Sequence, residues 1–230
     1  MKEIDQLYTD KEIVKKIVDF CLGKYKFIFI SGNGGSGKTT FSKKIVEEIN
    51  SRGLNANRID TDDFMIDTEI RKSAKKEWID KNNNKRISDH GSVFREAYHL
   101  DSLEDIVHSL INNEDSYYKS KNSEELIELK SDLPITIIEG IASAFLEKND
   151  MVYSILLICN IEIEVNRRID RARNGENNLP REAVEKKCSE RREQFEITVL
   201  SGKDNFDLEL LSLENNSFVI ERDILNVLKD

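Results

Sequence analysis

The stretch Ser31-Gly32-Asn33-Gly34-Gly35-Ser36-Gly37-Lys38-Thr39-Thr40 decides the fold. Gly32, Gly37, Lys38 and Thr39 satisfy the spacing G-x-x-x-x-G-K-[ST] of a phosphate-binding loop, or P-loop. Glycines let the backbone wrap closely round a phosphate chain, where a Cβ would block the approach. Successive N–H groups from Gly32 to Thr40 then point inward, and the following helix adds the positive end of its dipole. Lys38 is expected to reach the β- and γ-phosphates, and the Thr39 hydroxyl to ligate Mg²⁺. Both flanks agree. Phe27-Ile28-Phe29-Ile30 is a short apolar run suited to a buried parallel strand. Thr39 to Asn50 is helical in pattern, with Phe41, Ile45, Val46 and Ile49 on one face and Gly53 just past its end. The loop therefore predicts a nucleoside triphosphate ligand.

Working outward, the 230 residues suffice for one α/β domain with a substantial core. A formal net charge of −9 argues against general attraction to nucleic acid or an anionic membrane. Cys21, Cys159 and Cys188 are far apart and form no CxxC pair, so they read as small buried residues. Met1 to Asp10 is polar and shows no signal peptide, and the longest apolar run, around Ile155 to Cys159, is strand-sized. A reducing cytoplasm is the expected setting.

Thr9-Asp10-Lys11-Glu12 has the form of a capping box, ahead of a helix carrying Ile13, Val14, Ile17, Val18 and Cys21. Asn57 to Thr61 reads as a second strand, ending at Asp62-Asp63-Phe64-Met65. Residues from about 66 to 130 read as a substrate-binding insertion. It contains the charged stretch Arg71 to Arg86 with Trp78, a helix over Ser102 to Asn112, and a polar segment, Ser116 to Lys130, expected as loop followed by a short helix. Pro134 to Gly140 and Tyr153 to Cys159 are further strands. Glu164 to Asn174 is an arginine-rich helical segment within a lid of about 164–182. Arg181 to Leu200 is a long helix, and Asp207 to Leu213 with Phe218 to Ile220 suggest a last strand and its hairpin return. Alternating strands and helices predict a parallel sheet covered by helices on both faces. Its ligands would bind beyond the carboxyl ends of the strands, which lines up the P-loop, Asp62 and Glu139 along one edge.

A hydroxyl attacking a γ-phosphate needs a carboxylate within reach to take its proton, and Asp62 is the residue expected there. Asp63 is a candidate for Mg²⁺ or substrate, although either aspartate could instead cap the next helix. Glu139, closing a strand before Gly140, is a candidate for Mg²⁺ or the acceptor. Arg167, Arg168, Arg171 and Arg173 put four arginines into seven residues. On a helix, Arg167 and Arg171 share a face by i,i+4 spacing. Such a guanidinium could stabilise the transferring phosphoryl group, and the bland alternative is a solvated face paired with Glu162, Glu164 and Asp170. Asp89 and His90 are candidates for the acceptor, and Trp78 and Tyr117-Tyr118 could stack on a base or simply pack. His90, His99 and His108 have no metal-ligand spacing.

These residues resemble the uridine kinase branch of the P-loop kinases, which includes phosphoribulokinase. The resemblance rests on Gly32 to Thr40, Asp62-Asp63-Phe64, Asp89-His90, Ile138-Glu139-Gly140-Ile141 and Arg167-Arg168-Ile169-Asp170-Arg171, in that family's order over roughly 27 to 222. It implies Asp62 as catalytic base, Lys38 and Thr39 serving phosphate and Mg²⁺, Arg168 and Arg171 in the lid, and Asp89 on the acceptor's hydroxyls. The chain departs from that pattern at Gly91, where a proline is usual, and at Ala172, where an aspartate is usual.

The leading expectation is thus a P-loop NTPase fold acting as an ATP- and Mg²⁺-dependent kinase on an alcohol of a small molecule, nucleoside-like in the first instance. Catalysis falls to Asp62, Lys38, Arg171 and Arg168, acceptor binding to Asp62, Asp89, His90, Glu139 and Arg167, and metal binding to Thr39, Glu139 and Asp63. A zeta-toxin-like sugar-nucleotide kinase shares the P-loop and the aspartate after the second strand. A nucleotide-dependent switch is the alternative from another class, although the chain has neither an Asn-Lys-x-Asp nor a Leu-Ser-Gly-Gly-Gln motif.

Overall fold

The computed structural model describes residues 7–89, 91–121, 123–171 and 178–228. The chain begins with β1 (Leu7–Thr9) and α1 (Asp10–Cys21), then β2 (Phe27–Ser31) and α2 (Lys38–Ser51) on either side of the P-loop. Next come β3 (Asn57–Asp60), α3 (Thr68–Ser73), β4 (Lys75–Ile79), β5 (Lys85–Asp89), α4 (Leu100–Ile111), β6 (Ser116–Lys119) and β7 (Leu126–Leu129). The remainder is β8 (Thr136–Glu139), β9 (Val152–Cys159), α5 (Ile161–Asp170), α6 (Arg181–Thr198), β10 (Leu208–Ser212) and β11 (Ser217–Asp223). Seven strands form one sheet in the order β1-β11-β10-β9-β2-β8-β3. Its five strands from β10 to β3 are parallel, and β11 and β1 add antiparallel pairs at one side.

Period-two alternation sorts the central strand between two cores. Ile28 and Ile30 face α1 and α2, where they meet Ile13, Ile17, Phe41, Ile45 and Ile49. Phe27 and Phe29 face the other way, onto Leu103, Ile106 and Leu110 of α4. A smaller cluster joins Leu156 to Val93, Phe94 and Phe195 of α6, and Trp78 packs against it. The parallel sheet with helices on both faces is therefore as expected. All three cysteines are buried thiols. The capping box is also present: Glu12 N donates to Thr9 Oγ1 (3.3 Å), and Thr9 N donates to Glu12 Oε2 (2.8 Å). Among the described residues no helix is long and apolar enough to cross a membrane.

The insertion differs from the sequence reading. The described residues of Ser116 to Lys130 hold no helix; β6 and β7 form an antiparallel hairpin. Tyr118 and Ile127 face one another on its inner side, and Tyr118 lies 5.2 Å from the Phe64 ring, whereas Tyr117 and Leu126 are exposed. That alternation has a strand's period and was masked by the polar residues between the two strands. The charged stretch from Arg71 likewise contains the β4–β5 hairpin. Its turn is the Asn82-Asn83-Asn84 tract: Asn83 has φ +61°, and Asp80 Oδ1 accepts from the amides of Asn82 (2.9 Å) and Asn84 (2.8 Å). Asparagine tolerates this left-handed conformation better than other side-chain-bearing residues. The short β1 was also unforeseen, since three residues carry too little pattern to read.

Helix and strand ends shift modestly: α4 begins at Leu100, α5 runs from Ile161 to Asp170, and α6 stops at Thr198 before a 3₁₀ turn over Leu200–Asn205. Asn174, expected to end the arginine-rich helix, lies outside the described residues.

The join between β8 and the P-loop strand depends on Gly140. It has φ +129°, its amide donates to Ile30 O (3.0 Å), and a Cβ there would sit 2.0 Å from Thr61 Oγ1. Gly140→Ala should destabilise the protein by about 2–4 kcal/mol in urea unfolding. Adding Thr61→Ala should recover only part of that loss, because the clash is relieved and the backbone strain is not.

Candidate active site

The P-loop leaves β2 between two neighbours. A Cβ on Gly32 would lie 1.8 Å from Leu157 O of β9, so only glycine allows this close approach. Lys38 folds back over the loop, donating to Gly32 O and Asn33 O, each at 2.9 Å. Burial holds its ammonium below the ordinary range, and the carboxylates of Glu139 and Asp62 oppose that shift. Ser36 Oγ is buried inside the loop with no hydrogen-bond partner among the described residues. A phosphate oxygen would supply what it lacks. Thr39 and Thr40 are exposed in the first turn of α2.

The acid edge is built by the two strands beyond β2. Glu139, the last residue of β8, is 1% exposed and accepts from Arg58 Nη1 at 3.0 Å. Burial pushes its carboxyl up to about 7, with Asp60 adding to the effect, while Lys38, a hydrogen bond with Thr39, and Arg58 pull it back. Thr39 and Glu139 are thus within hydrogen-bond reach of one another. A hydroxyl and a carboxylate are hard oxygen donors suited to Mg²⁺, which also draws on substrate phosphates. Among the described residues no cluster of three or more His, Cys, Asp or Glu forms a protein-only metal cage.

Beyond β3 the chain enters a 3₁₀ turn, Thr61–Phe64, whose N-cap is Asp60: its Oδ1 accepts from the Asp62 amide at 3.0 Å. The capping duty that might have fallen to Asp62 or Asp63 is therefore met by Asp60, two residues before Asp62. Burial, with Asp62 beside it, pushes the Asp60 carboxyl up. Asp62 is half-buried, and its charge reaches both the Lys38 ammonium and the Tyr98 hydroxyl. Asp63 has a different task from the metal role expected of it. Its Oδ1 accepts from Ser120 Oγ (3.1 Å) and Lys121 N (2.9 Å), which pins the β6–β7 hairpin to the end of β3.

The arginines separate by function. Arg167, expected to bind substrate, is spent on the loop itself: it donates to Gly35 O (2.8 Å), Ser212 Oγ (3.0 Å) and Leu213 O (2.8 Å). Arg168 lies beside Gly34, held by Glu164. Arg171 is exposed at the end of α5, next to residues 172–177, which with Arg173 lie outside the described set. Asp89 ends β5 exposed and ion-paired with Lys75, whose hydrogen bond holds its carboxyl below the usual range. His90 lies outside the described residues. Sequence reasoning missed Arg58, Asp60 and Arg192. For Arg58 and Asp60 the available signal was strand alternation, which aims residues two apart at the same face.

A P-loop and a row of acids at the carboxyl ends of adjacent parallel strands define a nucleotide-binding P-loop protein of the kinase kind. Residues 27–218 match the sequence profile described as "Phosphoribulokinase / Uridine kinase family", and the chain belongs to that family. No curated protein sequence matches it significantly. Among solved structures it is similar to D-glycerate 3-kinase from Cryptococcus neoformans, at 12% identity and TM-score 0.56, covering 86% of this chain and 94% of that one. It is similar to phosphoribulokinase from Rhodobacter spheroides, at 16% identity and TM-score 0.54, covering 90% and 75%. A third is a possible uridine kinase from Bacillus stearothermophilus, at 14% identity and TM-score 0.52, covering 87% and 97%. At these identities the structural likenesses establish the fold.

The buried state of Glu139 gives a pH signature. The unfolded chain releases this proton near 4.5 and the folded chain near about 7. Between these values the folded state holds a proton that the unfolded state has lost, so the stability of metal-free protein should fall as pH rises through the window and level off above it. Thermal melts across that range should show the slope, and Glu139→Gln should flatten it; an unchanged slope in the variant contradicts the assignment.

Proposed function

We propose that this protein is an ATP-dependent kinase that transfers the γ-phosphoryl group to an alcohol of a small molecule, nucleoside-like in the first instance. The observation that carries the reading is the convergence of Lys38, Thr39, Glu139 and Asp62 at the carboxyl ends of β2, β8 and β3. The P-loop amides and Lys38 bind the β- and γ-phosphates, and Lys38 must exchange its contacts with Gly32 O and Asn33 O for phosphate oxygens. Thr39 and Glu139 would hold Mg²⁺ together with the phosphates, and the ion would neutralise charge on the transferring group.

Asp62 accepts the proton of the acceptor hydroxyl as its oxygen bonds to the γ-phosphorus and the bond to the ADP oxygen breaks. Arg168 and Arg171 serve the charge that develops in transfer, within a lid of about residues 164–182. The insertion, about 66–130, holds the acceptor and includes Asp89 and His90. Closure excludes water, which would otherwise compete with the acceptor. A cytoplasmic setting with no nucleic-acid or membrane partner completes the reading.

The test is ADP release from Mg·ATP by the purified protein with uridine, cytidine, nicotinamide riboside, pantothenate or simple sugars. One acceptor should stimulate turnover. Asp62→Asn should cut that stimulated rate by about 10²–10⁴-fold while leaving Mg·ATP binding within about threefold. Stimulated turnover that survives in Asp62→Asn would remove the assigned base, and tight ATP binding with no acceptor response from any alcohol would favour a nucleotide switch.

A further inference from the structure

Both helices that flank residues 172–177 are wired to the P-loop through one carboxylate. Glu164, in the first turn of α5, belongs by sequence to a solvated charged face, yet its side chain is 1% exposed. Its Oε1 accepts from Arg168 Nε (3.0 Å) and Nη2 (2.8 Å). Its Oε2 accepts from Asn33 Nδ2 (3.1 Å) and from Arg192 Nε (2.8 Å) of α6. Arg192 also donates to Cys159 O at 2.6 Å, and the Cys159 amide donates to Asn33 Oδ1 at 3.1 Å. The cluster lies directly on the loop backbone: a Cβ on Gly34 would be 2.0 Å from Arg168 Nη2 and 2.8 Å from Glu164 Oε1.

Apolar packing would join two helices to a loop at lower desolvation cost than a buried carboxylate with two guanidiniums. The charge itself therefore calls for an account. Glu164 sets a negative charge directly against Arg168 and Arg192, and it is among the carboxylates whose field reaches the Lys38 ammonium. Removing its charge would make the surroundings of the loop more positive by one unit.

We propose that Glu164 is a positioning residue of the nucleotide site: it holds Arg168 against Gly34 and offsets the charge of Arg168 and Arg192. The loop then binds a polyphosphate less tightly than its cations alone would, which keeps a diphosphate product free to leave. This rests on the nucleotide reading of the P-loop and on no particular acceptor.

The experiment is the Kd of Mg·ADP for the full chain by titration calorimetry, with melting temperatures on the same samples. Glu164→Gln, which adds a net positive charge, should tighten binding by roughly three- to tenfold, and Arg192→Gln should weaken it by a similar factor. The double variant restores the native charge balance and should return to the wild-type Kd. If Glu164→Gln and Arg192→Gln both weaken binding, or neither changes it, the cluster is only packing and the inference falls. Should Glu164→Gln fail to fold, Arg192→Gln and the double variant decide by the same opposition. Wild-type protein that does not bind Mg·ADP overturns the nucleotide reading itself, and this inference with it.

Discussion

The approach of the Gly32 backbone to the Leu157 carbonyl is the constraint on which the rest depends. It presses the start of the P-loop against the neighbouring strand, so the loop must rise over the sheet edge and not across it. Arg167 then fixes the far side of the loop by holding Gly35 O to Ser212 and Leu213 at the end of β10. Between these two attachments the backbone has little freedom, and its amides are oriented before any ligand arrives. Preorganised donors of this kind lose little on binding, because their order was established in folding.

Electrostatics and topology reinforce one another at the same edge. Parallel strands bring Asp60 and Glu139 into register as neighbours, and strand alternation places Arg58 two residues earlier on the same face, where its guanidinium reaches Glu139. Two acids so close cannot both ionise freely in a poorly solvated site. The raised carboxyls of Glu139 and Asp60 are therefore a direct product of strand pairing and burial. An apolar edge would be easier to fold and could hold no cation.

The nucleotide half was legible in the sequence because its signals are local. Gly32 to Thr39 is a contiguous motif, and Phe27 to Ile30 and Phe41 to Ile49 carry their periods within a few residues. Asp62 and Glu139 could be named because each closes a recognisable strand. The insertion was less legible. In β6–β7 the inward positions are Tyr118, Ile127 and Leu129, separated by a polar turn, so the alternation never accumulates over one run. Arg192 was out of reach for another reason: it lies 28 residues from Glu164, and no spacing rule links an α6 arginine to a loop asparagine. Arg167 shows the converse limit, since its neighbour Arg168 has the same chemistry and only the three-dimensional arrangement sends one guanidinium to Gly35 and β10 and the other to Gly34 and Glu164.

The two hairpins hang from the sheet by different means, and this shapes what the molecule can become. The β6–β7 hairpin is tied to Asp63 and stacked on Phe64, so any change in it is felt one residue from Asp62. The β4–β5 hairpin is secured on another side, by its own asparagine turn, by Trp78 packed against the Leu156–Phe195 cluster and by Gln194 Nε2 donating to Ser88 Oγ at 3.0 Å. One arm is thus tied directly to the acid edge, and the other to the cluster under α6. In evolutionary terms the two arms are separate variables: drift in β6–β7 is felt first beside Asp62, and drift in β4–β5 first at the α6 cluster.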